Sequence, residues 1–200
     1  NNSNHKTAHV SKKTGAYVLR ENRQGKGYAL QKLFTIKSDV YVVVDGDDTY
    51  PAAKVKNLIE PIIENKADMA IASRKKFNSG IVRNFGNFLI TGLFNLLFKQ
   101  KLHDALSGYR AFNYNLIKNL NLTSEDFEME MELTIKAIEN NSKIVEVPIH
   151  YKARKESKLR TCEDGMRILL TMITLFAHYH PTKFFSIITI SIIAGLVLGI

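Results

Sequence analysis

The sequence contains little cysteine and no tryptophan. Among its 200 residues Cys162 is the one cysteine, which excludes an internal disulfide framework and a zinc site built from several cysteines. Four prolines and 11 glycines with no repeating period exclude collagen-like and low-complexity chains. Apolar residues make up 45% of the chain, which is typical of a globular domain and too much for a disordered tail.

Acidic residues are also scarce. The chain has 19 Asp and Glu against 28 Lys and Arg, which gives a net charge of +9. Such an excess of positive charge favours an anionic partner. From charge alone this partner could be a nucleic acid, a phosphorylated substrate or an acidic membrane surface. The family resemblance given below implies the substrate and the membrane and no nucleic acid, and a homo-oligomer stays open.

Charge is absent from Phe184 to Ile200. A spanning helix needs about 20 apolar residues, with about 17 as the lower limit, so we expect residues 181–200 to begin a truncated transmembrane segment. A buried core helix is the alternative. The pattern of residues 161–180 predicts an amphipathic juxtamembrane helix. The polar segment from Asn1 to Lys13 leads us to expect that the sequence begins inside a longer protein. Basic residues upstream of the apolar stretch predict that the domain lies on the cytoplasmic face of the membrane: Lys152, Arg154, Lys155, Lys158, Arg160 and Arg167.

Strand and helix patterns alternate along residues 1–160, which predicts one α/β domain with a mostly parallel sheet. The apolar run from Val40 to Val44 lacks alternation, which predicts a strand buried on both faces. Pro148 favours an edge position for its strand. The predicted strands are Ala16–Leu19, Asp39–Val44, Ala67–Ser73, Tyr109–Phe112 and Lys143–Tyr151. The predicted helices are Gly25–Lys37, a helix from Pro51 that Pro61 must kink or end, Arg83–Lys99 and Phe127–Asn140.

The helix predicted for Arg83–Lys99 is rich in Phe and Leu but carries Asn87, Thr91 and Asn95 four residues apart. One stripe of it is therefore polar, which predicts an amphipathic helix rather than a spanning one.

The strongest chemical signal is Asp45-Gly46-Asp47 at the end of a predicted strand. In open α/β sheets, ligands bind beyond the carboxyl ends of the strands. Two carboxylates on one tight turn suit Mg²⁺ or Mn²⁺, which prefer oxygen ligands. The alternative is an acidic turn in which Asp48 caps the following helix.

Gly25-Lys26-Gly27 opens a predicted helix. Glycines at a helix start can bring backbone N–H groups close to a phosphate or a base. A turn closed by glycine is an equally good interpretation.

A third set of candidates lies in isolated polar positions. Asp104, between a helix and a strand, could act as a general base or orient a cation, and a pair with Arg110 is the structural alternative. Arg74 and Arg83 have the planar group that suits phosphate. The histidines do not form a metal-binding set.

Taken in order, these segments resemble family-2 glycosyltransferases of the dolichyl-phosphate mannosyltransferase and bacterial polyprenyl-phosphate glycosyltransferase group. The resemblance covers nearly the whole chain. The matching segments are NNSNHKT (1–7), ENRQGKGYAL (21–30), VYVVVDGDDTYP (40–51), ADMAIASR (67–74), RNFGNFL (83–89), HDALSGYRAF (103–112), FEMEMEL (127–133) and VPIHYKARKESKL followed by DG (147–165).

The resemblance implies a GT-A type, Rossmann-like nucleotide-sugar-binding domain followed by a C-terminal transmembrane helix. It implies a transferase, inverting in outcome, that moves a sugar from a nucleotide-sugar donor to undecaprenyl or dolichyl phosphate. Asp45 and Asp47 match the positions that hold the metal, and Asp104 matches a catalytic position. The remaining matches are substrate-binding positions: Gly25, Lys26, Gly27, Arg74, Arg83, Asn87, Ser107, Arg110, Arg154 and Lys158.

The sequence departs from the family pattern in three places. The opening strand with its Pro-x-Tyr-Asn-Glu motif is not in the sequence. His5 stands where an aspartate is usual, and Asn87 stands where a serine is frequent.

Two other functions remain open from the residues. Asp45 to Thr49 also fits the Asp-x-Asp-x-Thr pattern of haloacid-dehalogenase phosphohydrolases, with Asp45 as the nucleophile. The second open function is that of a non-catalytic membrane adaptor. An aspartyl-phosphate trapped on Asp45 would favour the phosphohydrolase.

Overall fold

The computed structural model describes residues 6–74, 81–152 and 161–199, and within these the side chains of residues 81–83, 161–162 and 198 are not described. Four strands form one sheet: β1 (Val40–Val43), β2 (Met69–Arg74), β3 (Arg110–Asn113) and β4 (Ile144–Ile149). The helices are α1 (Thr7–Lys13), α2 (Lys26–Leu33), α3 (Val55–Ile63), α4 (Ile81–Phe98), α5 (Tyr114–Asn119), α6 (Met129–Glu139), α7 (Thr161–Tyr179) and α8 (Pro181–Leu198).

The sheet has the order β1-β3-β2-β4 and is mixed. β3 runs antiparallel to both of its neighbours, and only β2 and β4 pair in parallel. The prediction of a mostly parallel sheet is therefore wrong in its pairings. Helix α4 lies between β2 and β3 along the chain, but it packs against α6 and α7 rather than crossing over the sheet, so it does not return the chain in the parallel direction.

The central strand β2 divides the core into two layers. Alternate side chains point to opposite faces of a strand, so Met69 and Ile71 join one hydrophobic cluster while Ala70 and Ala72 join another. The first cluster packs against α2 and α6, and the second packs against α3. A third cluster joins α4, α6 and α7 away from the sheet.

Two strand predictions are wrong. Residues 16–20 carry no regular secondary structure. β1 is not buried on both faces, since Val42 remains 37% exposed. β1 also lies at one edge of the described sheet, and Val44 just after it is 48% exposed. The prediction for Pro148 is confirmed, because β4 forms the opposite edge. Pro61 lies in the last turn of α3, which ends two residues later.

Helix α4 is amphipathic, but its polar stripe faces the protein. Asn87 and Thr91 are 8% and 5% exposed, whereas Phe88 and Leu96 are 71% and 75% exposed. Asn95 exchanges two hydrogen bonds with the backbone of Leu102 and so fixes the chain that leaves the helix. The helix therefore presents hydrocarbon outward.

Helices α7 and α8 meet at His180 with an angle of 111° between Glu163–Tyr179 and Pro181–Val197. In the described part of the chain, neither helix alone has the length and apolar content to cross a bilayer, and only the bent pair reaches that threshold together. The predicted spanning helix at the C-terminus is not confirmed.

Candidate active site at one edge of the sheet

The strand register brings the candidate residues to one edge of the sheet. Arg110, the first residue of β3, pairs with Val43 on one side and Ile71 on the other. The turn after β1, the end of β2 and the loop before β3 therefore meet at the same level. Asp45, Arg74 and the loop from Asp104 to Gly108 come from these three places.

Lys26 lies at the centre of a charge network in this site. Its Nζ lies 2.6 Å from Asp45 Oδ1 and 2.6 Å from Glu130 Oε1. Burial alone would lower the pKa of Lys26, but the Coulombic attraction of Glu130 and Asp45 outweighs it, and the pKa is raised. The lysine therefore stays charged between the two carboxylates.

The glycines beside Lys26 serve close packing. A Cβ on Gly25 would lie 2.3 Å from the carbonyl oxygen of Glu125, and one on Gly27 would lie 2.1 Å from that of Ser124. The N–H of Gly27 donates to the carbonyl of Glu125, and the N–H of Lys26 donates to Asp126 Oδ1. These two N–H groups thus have protein partners, and the structure favours the structural interpretation of the motif over a phosphate cradle.

Gly108 provides room for the charged groups. A Cβ at this position would lie 2.8 Å from Asp45 Oδ2 and 3.0 Å from Lys26 Nζ. Any side chain here would displace the carboxylate or the ammonium. The N–H of Gly108 donates to the hydroxyl of Tyr50, which also lies 3.4 Å from the hydroxyl of Ser107.

The turn after Asp45 is held by its own side chains. Asp47 Oδ1 accepts hydrogen bonds from the backbone N–H and the hydroxyl of Thr49. Asp48 has φ of 58° and an exposed ion pair with Lys152, whose N–H donates to the carbonyl of Thr49. Asp48 does not cap a helix, because a short 3₁₀ turn begins only after Pro51.

Arg74 and Asp104 form a bidentate ion pair, with Nε and Nη2 of the guanidinium 2.5 and 2.7 Å from the two carboxylate oxygens. Asp104 is fully buried, so it orients a cation, as one interpretation of the sequence expected, but the cation is Arg74 rather than Arg110. Burial alone would lower the pKa of Arg74, but the hydrogen bonds and the charge of Asp104 outweigh it, and the pKa is raised. The arginine also lies over the ring of Tyr151.

Glu146 of β4 fixes the loop that carries Asp104. Its carboxylate accepts hydrogen bonds from the N–H groups of His103 and Asp104. The pair of Arg74 and Asp104 is therefore anchored from a third strand.

Arg110 points into the core. It is 2% exposed and donates to the carbonyls of Ser107 and Ala105 and to the hydroxyl of Thr134. Burial lowers its pKa. Its guanidinium thus fixes the shape of the loop before β3 from beneath.

Of the other predicted site residues, two are buried and the rest have side chains that the structure does not describe. Asn87 is buried on the inner face of α4, and Ser107 is fully buried under the loop. Arg83 lies on α4 with its side chain outside the described part, and Arg154, Lys158 and His5 lie outside the described residues altogether.

Sequence reasoning missed two carboxylates that position the site, Glu130 and Glu146. Glu130 falls in the matched segment FEMEMEL, and its burial follows from a helix on which consecutive residues from Met129 to Ile135 are buried. A charged residue in the middle of such a run needs a partner. This need for a partner was the sequence signal that could have pointed to Glu130.

Among the described residues, no group of three or more His, Cys, Asp or Glu side chains is placed to hold a metal ion. Mg²⁺ in phosphate-transfer sites is commonly held by one or two carboxylates and completed by substrate phosphates and water. Asp45 and Asp47 can supply two carboxylates from one turn, and Gly108 leaves space at Asp45 Oδ2. The residues present fit such an ion.

The sequence pattern described as "Glycosyl transferase family 2" matches residues 1–120. The chain is 27% identical to glycosyltransferase AglJ of Haloferax volcanii over 90% of its length, and spans 62% of that protein. It is 32% identical to dolichol-phosphate mannosyltransferase of Pyrococcus furiosus over 78% of its length, and spans 46% of that protein.

Among solved structures, the fold is similar to glucosyl-3-phosphoglycerate synthase from Mycobacterium tuberculosis in complex with Mn²⁺, uridine diphosphate and glucosyl-3-phosphoglycerate. The TM-score is 0.74 at 18% identity, covering 88% of this chain and 66% of that one. At this identity the likeness establishes the GT-A-like α/β fold with a mixed sheet.

Proposed function

Because this chain belongs to glycosyl transferase family 2, we propose that it transfers a sugar from a nucleotide-sugar donor to a polyprenyl phosphate, such as undecaprenyl or dolichyl phosphate. The main observation behind this proposal is that the acidic turn after β1 and the oriented guanidinium of Arg74 lie at the same edge of the sheet. The acidic turn suits a diphosphate that is bound to a divalent cation, and the guanidinium of Arg74 suits a second anionic group. The curated relative named for dolichol phosphate supports the lipid acceptor.

Asp45 and Asp47 would hold Mg²⁺ or Mn²⁺. Such an ion supplies neutralisation of the charge that develops on a departing diphosphate. The solved relative was crystallised with Mn²⁺ and uridine diphosphate, which supports this choice of ion and donor class.

In the proposed reaction, an oxygen of the lipid phosphate forms a bond to the anomeric carbon of the sugar. The bond from that carbon to the donor diphosphate breaks, and the nucleoside diphosphate leaves with the electron pair. Attack from the face opposite the leaving group inverts the configuration. The acceptor phosphate is already an anion near neutral pH, so no strong base is needed and the larger tasks are positioning and charge stabilisation.

Arg74 would contact a phosphate oxygen, and Asp104 would act as the positioning residue for Arg74. Its two carboxylate oxygens fix the plane of the guanidinium, which matters because arginine recognises phosphate through a planar fork. Arg83, Arg154 and Lys158 are proposed as further phosphate contacts. The family membership speaks against the phosphohydrolase alternative.

The test is transfer by the full-length protein in detergent from labelled nucleotide sugars to undecaprenyl and dolichyl phosphate, with Mg²⁺ or Mn²⁺. Asp45→Asn with Asp47→Asn should lower the rate by at least about 100-fold, on the order of the loss of one electrostatic stabiliser of the transition state. Asp48→Asn is the matched control, because Asn tolerates the positive φ at this position and the rate should stay within about twofold. Absence of glycolipid with every donor, while lipid and nucleotide still bind, would instead support the adaptor.

We further propose that the outer faces of α4 and α8 hold the domain on a membrane. Phe85, Phe88 and Leu96 of α4 are 60%, 71% and 75% exposed on one stripe of the helix. α8 exposes apolar side chains around its whole circumference, and its N-terminal end joins the cluster that contains Phe98 of α4. Exposed apolar surface of this extent is typical of a membrane or protein interface.

Flotation with liposomes of anionic phospholipid tests the membrane proposal. Phe88→Lys combined with Leu96→Lys should reduce the bound fraction severalfold, because both side chains would leave hydrocarbon as charges. The matched control is Ile63→Lys on α3, which is 63% exposed and away from the proposed surface. Equal binding by all variants contradicts the proposal, and protease access from the cytoplasmic side of sealed vesicles tests the proposed orientation.

A further inference from the structure

Lys26 forms ion pairs with two carboxylates that differ in how deeply they are buried. Glu130 is 7% exposed in its side chain and Asp45 is 26% exposed, and each lies 2.6 Å from the ammonium. The following inference rests on the proposed function, in which Asp45 is a ligand of the divalent ion.

The backbone of Lys26 is fastened to the segment that carries Glu130. The N–H of Gly27 donates to the carbonyl of Glu125 at 2.8 Å, and the N–H of Lys26 donates to Asp126 at 3.3 Å. Asp45 comes instead from the turn after β1, across the site. Glu130 is therefore the fixed partner of the lysine, and Asp45 is the partner that can be exchanged.

The ammonium and a divalent ion cannot both contact Asp45 closely without repulsion. A Mg²⁺ ion binds carboxylate oxygen at about 2.1 Å, and an ammonium 2.6 Å from the same carboxylate would lie beside it. Like charges so close repel strongly in a partly buried site. A nucleoside diphosphate bound beside the ion would offer the ammonium new anionic oxygens.

We propose that Lys26 is a resident counter-cation that competes with the divalent ion for Asp45, with Glu130 as the residue that draws it away. The competition makes the bare ion bind weakly and makes the ion and the nucleoside diphosphate bind together. Lys26 thus acts as a positioning residue that couples the two ligands.

The readout is Mn²⁺ affinity, measured from the electron paramagnetic resonance signal of free Mn²⁺ with the full-length protein in detergent, with and without uridine diphosphate. Lys26→Met should bind Mn²⁺ alone about tenfold more tightly, because the competitor is gone. Glu130→Gln should bind Mn²⁺ more weakly, because the ammonium then has only Asp45. A merely structural role would weaken binding in both variants.

The coupling gives a second readout. In the wild type, uridine diphosphate should raise Mn²⁺ affinity, and Mn²⁺ should raise nucleotide affinity by the same factor. In Lys26→Met this factor should shrink severalfold. Lys32→Met, an exposed lysine on the same helix, is the matched control and should leave both affinities unchanged.

The outcomes separate this inference from the proposed function. Unchanged or weaker Mn²⁺ binding by Lys26→Met, while Asp45→Asn abolishes binding, overturns the competition and leaves the metal site standing. Wild-type protein that binds no Mn²⁺ with or without the nucleotide overturns both. If Lys26→Met does not fold, Lys26→Gln, which also lacks the charge, takes its place: tighter Mn²⁺ binding supports the competition, and unchanged or weaker binding overturns it.

Discussion

The sheet edge and the outer surface of the helices distribute charge and hydrocarbon in opposite ways. At the sheet edge, Asp104 is fully buried and Arg110 is 2% exposed. On α4 and α8, by contrast, Phe88 is 71% exposed and Val197 is 79% exposed. Ordinary soluble domains keep most charges outside and most large apolar groups inside. The difference agrees with the two proposals made above, which place an anionic substrate at the sheet edge and a membrane against the helices.

The buried charges are tolerated because the described contacts satisfy them. Arg110 has three oxygen acceptors, and Asp104 has the fork of Arg74. Among uncharged polar groups, the hydroxyl of Thr91 on the inner face of α4 differs. It is the one buried side-chain polar atom in the described part of the molecule that lacks a hydrogen-bond partner. Substitutions at these buried positions test how the site region and the helix surface differ.

The largest effect is expected for Arg110→Met. The change leaves the carbonyls of Ser107 and Ala105 and the hydroxyl of Thr134 without their donor. Unsatisfied buried groups cost about 1–3 kcal/mol each, and apolar filling offsets part of this, so we expect a loss of about 3 kcal/mol in the free energy of urea unfolding.

Arg110→Lys should lose a similar amount, because a single ammonium cannot reach the same three acceptors. Lys56→Met on the exposed side of α3 is the control and should not change stability. Wild-type stability in Arg110→Met would show that the guanidinium is not needed to hold the loop.

A smaller and pH-dependent effect is expected for Glu132→Gln. The carboxylate of Glu132 is 1% exposed and accepts hydrogen bonds from the N–H groups of Thr123 and Ser124, with Lys136 paired to it. Burial raises its pKa, but the hydrogen bonds from Lys136, Thr123 and Ser124 outweigh burial, and the pKa is lowered. Because hydrogen bonds to charged groups contribute about 1.5–3 kcal/mol, we expect a loss of about 2 kcal/mol at pH 7.

The sign follows from the lowered pKa. The stabilisation by Glu132 is fully present above the unfolded value of about 4.3 and is lost as the pH falls through the lower folded value. The difference between wild type and Glu132→Gln in urea unfolding should therefore narrow below about pH 4. Glu60→Gln, an exposed glutamate of α3, provides the control curve. A constant difference down to pH 2.5 would contradict the assignment.

The smallest effect is expected for Thr91→Val, which should raise stability by about 1 kcal/mol. The substitution removes a buried hydroxyl that has no partner, and such a group costs about 1–3 kcal/mol. The added methyl takes back part of the gain. Thr174→Val at an exposed position of α7 should change nothing. A loss of stability in Thr91→Val would mean that the hydroxyl has a partner in solution.

Local sequence patterns predicted most elements of the fold but not their pairing. β2 and α6 are close to their expected bounds, because buried runs and helical spacing are local signals. The direction of β3 depends on which strands flank it, and no local pattern encodes that. The exposure of β1 was mispredicted for a related reason, because an apolar run does not state whether other elements cover both faces of its strand.

The candidate site was predicted in its members more than in its connections. The sequence pointed to Asp45, Arg74 and Asp104, yet Lys26 and Glu130 are separated by 104 positions and Arg74 and Asp104 by 30. Ion pairs at such separations are set by topology. The orientation of Arg110 could not be read either, since an arginine at the start of a strand is usually exposed.

The placement of β3 between β1 and β2 also sets a distance. Neighbouring strands lie about 4.8 Å apart, so the ends of β1 and β2 are separated by about 10 Å. A leaving group near Asp45 and an attacking phosphate near Arg74 would therefore start from opposite sides of this gap. Their reacting oxygens must come within about 3 Å of one anomeric carbon from opposite faces, so the groups held at the two strand ends would have to reach toward each other. An insertion that widened the gap by another strand would leave the two oxygens too far apart to meet at one carbon.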